Sequence, residues 1–260
     1  MNSKKHIVNV NDPLHPRNEK WLKYGDAGNP PIKDGLQKSI IESLASVRDQ
    51  SGVYQHVKGG FTNLLKYKLL ILGYSMGYCG YANLRKSRKE NTTPDNKAAT
   101  NSTIKVYEQK IADYVNTVRL KFKFNKHEFC STEWLYDIHW YRDVPNTHYM
   151  PENLYMAGEI ELWNKRAVKK GHIEHSNLEY TEARYDFQKL LSTNAELRVM
   201  ICRVRDEKFL SHSKYGLGPY FVDAIHAYTQ LEPGSKFLLA CYIKRELYYH
   251  IIYKRQKTSP

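Results

Sequence analysis

Two glutamates separated by a single residue, Glu159 and Glu161, stand in the segment LYMAGEIELW. Read as a strand, this segment places both carboxylates on one face, roughly 6–7 Å apart along the chain. Like charges at that spacing repel, which is costly unless water screens them or a cation compensates. An earlier segment, WLYDIHWYR, contributes Asp137. If the two strands pair, Asp137 and Glu159 supply the one or two carboxylates that ordinarily hold Mg²⁺, alongside waters and a substrate phosphate. Downstream, YDFQKLL carries Lys189. From a helix laid over the sheet, a lysine can orient or deprotonate a metal-activated water. In that order, an acid, Glu-x-Glu and a helix lysine suit phosphodiester hydrolysis. Each part also has a plainer reading: a solvated strand face for Glu159 and Glu161, an edge-strand acid for Asp137, and a surface i,i+3 ion pair for Asp186 and Lys189.

The elements that must position these residues follow from hydrophobic periodicity. An amphipathic helix is expected from about Gly35 to Asp49, with Leu36, Ile40, Leu44 and Val47 inward. A second helix, about Phe61 to Leu72, turns Leu64, Leu65, Leu69 and Leu72 inward and leads into a short strand at Tyr78 to Leu84. Residues 85–128 begin with the basic, aperiodic run RKSRKENTTPDNKAATNST and continue into a helical stripe, which suggests an insertion between two core strands. Strands follow at Glu133 to Tyr141 and Leu154 to Trp163, the latter with Leu154, Met156, Ile160 and Leu162 on one face. A helix from Asn177 to Asn194 buries Ala183, Phe187, Leu190 and Leu191. Then come a covered strand at Glu196 to Val204, a helix at about Pro219 to Gln230, and strands at Lys236 to Ile243 and Leu247 to Lys254. The expected class is α/β, a mixed sheet flanked by helices. Residues 1–58 read as a Pro-broken arm and a helical extension, and residues 59–260 as the core.

Forty Lys and Arg against 27 Asp and Glu give a formal charge of +13. Such a surplus suits polyanions, since each phosphate neutralised releases counterions. Charge alone does not separate nucleic acid from an anionic membrane surface, and it serves ordinary solubility equally well. The run Lys165, Arg166, Lys169 and Lys170 directly follows the Glu-x-Glu strand, where a substrate crossing the site would meet it. No apolar run reaches the roughly 20 residues of a membrane span, and Met1 to Asn11 lacks a signal-like stretch, so a cytoplasmic protein is expected. The four cysteines show no Cys-x-x-Cys pair and read as buried apolar residues. His172 and His175 have no evident partners for a zinc site.

The segments LLKYKLLILGYSMGYCGYANL, EWLYDIHWYR, LYMAGEIELW and YDFQKLLSTNAELRVMICRV together resemble the PD-(D/E)xK nuclease superfamily. That superfamily has the restriction-endonuclease-like fold, whose core is a helix, three strands, a helix and a strand. The resemblance covers over a third of the chain. It implies that Asp137 is the first metal-binding acid and Glu159 the second. Glu161 departs from the common pattern, which has lysine there. The resemblance then implies that Lys189 is the relocated cation, with Gln188 an alternative phosphate contact. Glu161 becomes an extra metal ligand or a group that orients Lys189. The function implied is a Mg²⁺- or Mn²⁺-dependent endonuclease acting on DNA, in restriction, defence or DNA processing. A homodimer would suit double-strand cutting. The competing expectations are a nucleic-acid-binding module that kept the fold without cleavage, and a protein-interaction domain with incidental charge.

Overall fold

Helix α1, Gly35–Ala45, starts where Asp34 accepts hydrogen bonds from Leu36 N (3.0 Å) and Gln37 N (3.1 Å), two donors that the first helical turn would otherwise leave without partners. In the computed structural model that carries this helix, residues 20–48, 60–82, 136–144, 151–162, 180–211 and 216–254 are described. The expected insertion at 85–128, most of the arm, the basic run Lys165, Arg166, Lys169 and Lys170, and His172 and His175 lie outside the described residues.

Helix α2, Gly60–Ser75, runs a turn further than its periodicity suggests. Just beyond its end stands Gly77, whose φ of +82° is a left-handed turn that favours glycine. Strand β2, Cys79–Ala82, is tied back to this helix because the Tyr74 hydroxyl accepts from Gly80 N and donates to Gly80 O. Strands β3, Ile138–Asp143, and β4, Pro151–Glu161, precede helix α3, Thr181–Leu191, and strand β5, Leu197–Arg203. A single-turn helix α4, Lys208–Ser211, helix α5, Leu217–Ala227, and strands β6, Lys236–Ile243, and β7, Glu246–Tyr253, complete the elements of the described residues. The arm expectation needs one correction. Its residues Leu22–Lys23 form strand β1, which pairs antiparallel with β7, and Lys23 Nζ lies 2.6 Å from Glu246 Oε1.

The strands make one mixed seven-stranded sheet in the order β1-β7-β6-β5-β4-β3-β2. Strands β4, β5 and β6 are parallel neighbours and every other pairing is antiparallel. Helices cover both faces, giving an α/β protein with a helix–sheet–helix layering. On one face Ile40, Ile41 and Leu44 of α1 and Leu64, Leu65 and Leu69 of α2 pack on Trp140, Met156, Val199 and Leu238. On the other, Phe187 and Leu190 of α3 and Phe221 and Ile225 of α5 pack on Met200, Cys202, Phe237 and Leu239. Covered on both faces, β5 is buried at nearly every position and apolar from Val199 to Cys202, as its central run suggests. The α1 helix thus shares its core with α2 and the sheet, and the Tyr242 hydroxyl donates to Leu44 O across that interface at 2.8 Å. Among the described residues, no helix is long and apolar enough to cross a membrane.

Strand β4 departs from its expected alternation. Met156 and Ile160 face α1 and α2, whereas Leu154 packs on the α3 and α5 side. The cause is a register shift: Trp140 pairs with Met156, but Tyr141 pairs with Leu154, leaving Tyr155 as an extra residue. A bulge of this kind moves every preceding side chain to the opposite face.

Candidate active site

Alternation along β4 sends Ala157 into the core beneath α3 and α5 and places Glu159 on that same face. Across the strand pair, Ile138 is registered with Gly158, so the residue just before β3, Asp137, is brought level with Glu159. Glycine is required at 158 because a Cβ there would lie 2.9 Å from Ile138 Cγ2. The close approach of β3 and β4 at the site therefore depends on that missing methyl group.

Asp137 is 8 % exposed, and both of its carboxylate oxygens are engaged. Oδ2 accepts the Ile160 N–H at 3.0 Å, just past the last β3–β4 register pair. Oδ1 lies 2.5 Å from Nζ of Lys66, a fully buried lysine of α2. Lys66 is not among the residues that the sequence singles out. The signal that would have found it is the helix itself: with Leu64, Leu65, Leu69, Leu70 and Tyr74 all buried, α2 leaves Lys66 no wet face. A lysine so placed needs a partner, since an isolated buried ammonium is prohibitively costly.

Glu159 is 1 % exposed. Helix α3 lays its apolar stripe, Ala183, Phe187, Leu190 and Leu191, on the sheet and so holds Lys189 at the stripe's margin. From there Lys189 Nζ reaches Glu159 Oε1 at 2.7 Å and Asp186 Oδ1 at 3.0 Å. The pair Asp186–Lys189, one of the plain surface readings, is thus one arm of a bridge into the sheet. Burial pushes the Glu159 carboxyl up to about 8, outweighing the opposing pull of Lys189, and the nearby Asp137 charge adds to the rise. Burial raises the Asp186 carboxyl as well, with Lys189 opposing. For Lys189, burial works against the ammonium, but hydrogen bonding to Glu159 and Asp186 dominates and raises its pKa above the ordinary lysine value. These two carboxylates therefore favour the ammonium form of Lys189.

Asp137, Glu159 and Lys189 are brought together as expected, with Lys66 and Asp186 as additional members. Glu161 is half-buried at the end of β4, on the same face as Glu159. Gln188 is exposed, and its Nε2 points to the Tyr220 hydroxyl of α5, 3.5 Å away. Comparison of the chain with protein-family models, curated proteins and solved structures finds no match. The site rests on its own chemistry.

Asp137 and Glu159 are the residues that could hold a hard cation. Glu159 Oε1 is buried, and Lys189 Nζ lies 2.7 Å from it. Each carboxylate oxygen offers two lone-pair directions, so Asp137 also keeps acceptor capacity beyond its two partners. Among the described residues, no group of three or more Asp, Glu, His or Cys side chains is gathered to hold a metal. Asp137 and Glu159 form a two-carboxylate set, which suits an ion that keeps much of its water shell.

Proposed function

We propose that this chain is a metal-dependent nuclease that hydrolyses phosphodiester bonds in DNA. The observation that carries the reading is the convergence of Asp137, Glu159 and Lys189 from three consecutive elements onto one buried, charged cluster. Supporting it, among the described residues α2, β2, β3, β4, α3 and β5 come in the order helix, three strands, helix and strand, the order that the PD-(D/E)xK resemblance implies. Asp137 and Glu159 would hold Mg²⁺ or Mn²⁺, and Glu161 stands beside them on the same strand face. When bound, the ion supplies Lewis acidity toward the phosphate and lowers the pKa of a water. Lys189, charged and less buried than its partners, presents an ammonium to the negative charge that grows on phosphorus-bound oxygens. Asp186 shares that ammonium with Glu159 and limits its directions. The water oxygen forms the new P–O bond and gives up a proton to solvent, the bond to the leaving sugar oxygen breaks, and that oxygen takes a proton from solvent. In this reading the +13 charge draws the polyanion, and the run Lys165, Arg166, Lys169 and Lys170 follows its backbone.

A second reading is favoured by the Lys66–Asp137 pair: a nucleic-acid-binding module whose first acid is already neutralised. Cleavage of supercoiled plasmid decides between them, using wild type, Asp137→Ala, Glu159→Ala and Lys189→Ala with Mg²⁺, Mn²⁺ or EDTA. The nuclease reading expects metal-dependent nicking that all three substitutions abolish. Salt-dependent DNA binding, indifferent to Asp137→Ala and without nicking, would establish the module instead.

A further inference from the structure

We propose that Lys66 fixes the metal stoichiometry of this site, standing permanently where a second divalent ion would otherwise sit, so that the protein takes one ion and not two. The inference rests on the metal-dependent reading above and concerns how the same carboxylates are shared. Three observations carry it. Lys66 Nζ is held at 2.5 Å on Asp137 Oδ1, and Oδ2 already accepts the Ile160 N–H, so Asp137 retains lone-pair directions for one further cation but is poorly placed to bridge two. Lys66 is fully buried, fixed on a helix among Leu65, Leu69 and Leu70. Its ammonium has no short path to water, whereas the Lys189 side chain keeps 23 % of its surface exposed. Finally, Lys66 already brings an ammonium to Asp137, and Lys189 brings one to Glu159 and Asp186. Every divalent ion adds two further positive charges to this partly desolvated cluster, so a second ion is opposed more strongly than the first.

Lys66 is thus a specificity-determining residue for the ion count. It touches the ligand Asp137 and not the substrate.

The test is a Mn²⁺ titration of the full chain, followed by loss of the free-ion electron paramagnetic resonance signal, so that no turnover enters the readout. Wild type is expected to bind one Mn²⁺ per chain, and Glu159→Gln to weaken that binding at least tenfold. Lys66→Met is expected to bind two ions, or one at least tenfold more tightly. Lys66→Gln, which keeps a neutral donor toward Asp137, is expected to behave like Lys66→Met and serves if the methionine variant does not fold. Two ions on the wild type overturn the proposal and leave the nuclease reading intact. So does one ion of unchanged affinity on both Lys66 variants. No ion on any variant overturns the proposal together with the metal-dependent reading. One ion on the wild type with the expected gain in the variants, but no plasmid nicking, upholds the proposal while the nuclease reading fails.

Discussion

Glutamine in place of Glu159 removes an ionisation that the fold resists, and the consequence for stability has a definite sign. In the folded protein the Glu159 carboxyl titrates at about 8, against 4.5 for its ordinary value, mainly because it is buried. The native state therefore holds this proton more tightly than the unfolded chain across that window. Stability contributed by the protonated form is fully present below pH 4.5 and is lost as pH rises through 8. Each unit inside the window is worth about 1.4 kcal/mol, so the whole span has a ceiling of roughly 5 kcal/mol. Local relaxation and the effective dielectric of real sites reduce this to an expected loss of about 2–3 kcal/mol. Glu159→Gln keeps the shape and loses the titration. It is expected to match wild type near pH 5 and to exceed it by that amount near pH 8.5. His139 contributes the opposite slope, since burial lowers it to about 4 and its stabilisation fades as pH falls below 6.5, but that term is common to both proteins and cancels in the difference. Urea denaturation in EDTA at four or five pH values measures the difference directly, as a midpoint shift of about 1 M for a slope of about 2–3 kcal/mol/M. A wild-type minus variant difference that stays constant from pH 5 to 8.5 would refute the argument that Glu159 is buried beyond the reach of Lys189's compensation.

Three further outcomes test the frame that holds the site. Gly158→Ala drives a Cβ to within 2.9 Å of Ile138 Cγ2; a loss of about 1–3 kcal/mol in chemical denaturation is expected, with weaker metal binding as Asp137 and Glu159 shift apart. Asp34→Ala removes the acceptor for Leu36 N and Gln37 N and the ion pair to Lys236, and a thermal scan is expected to show a loss of about 1 kcal/mol. Lys254→Met strips the ammonium that donates to the carbonyls of Ile225, His226 and Tyr228 at the end of α5, and denaturation is expected to reveal a loss of about 2–3 kcal/mol.

Much of the site's scaffold is legible in the sequence because it obeys local periods. The alternation around Glu159 fixes its face, the stripe Ala183, Phe187, Leu190 and Leu191 fixes how α3 sits, and the apolar run of β5 marks a covered strand. What escapes is what no local period encodes. Lys66 meets Asp137 across 71 residues of chain, and only the closed fold shows that the two charges share one site. The bulge at Tyr155 redirects Leu154 because of how β3 and β4 register, which the composition of β4 does not announce. Strand β1 is two residues long, too short for any alternation to appear. Lys189 is half legible for a related reason: its position on the helix is readable, but the two carboxylates beside it are set there by the fold.

That short edge strand also bears on the order of assembly. Leu22 pairs with Tyr249 and Lys23 with Tyr248, contacts between chain segments more than two hundred residues apart. Closing so long a loop before any reward is the slowest kind of step, and two residues offer little to nucleate it. The β6–β7 hairpin must already exist as a template, so the N-terminal segment docks late, onto a sheet that is otherwise complete. Pulse-labelled hydrogen exchange during refolding is expected to protect the amides of β5 and β6 first and that of Tyr24, which bonds Leu247 O, among the last.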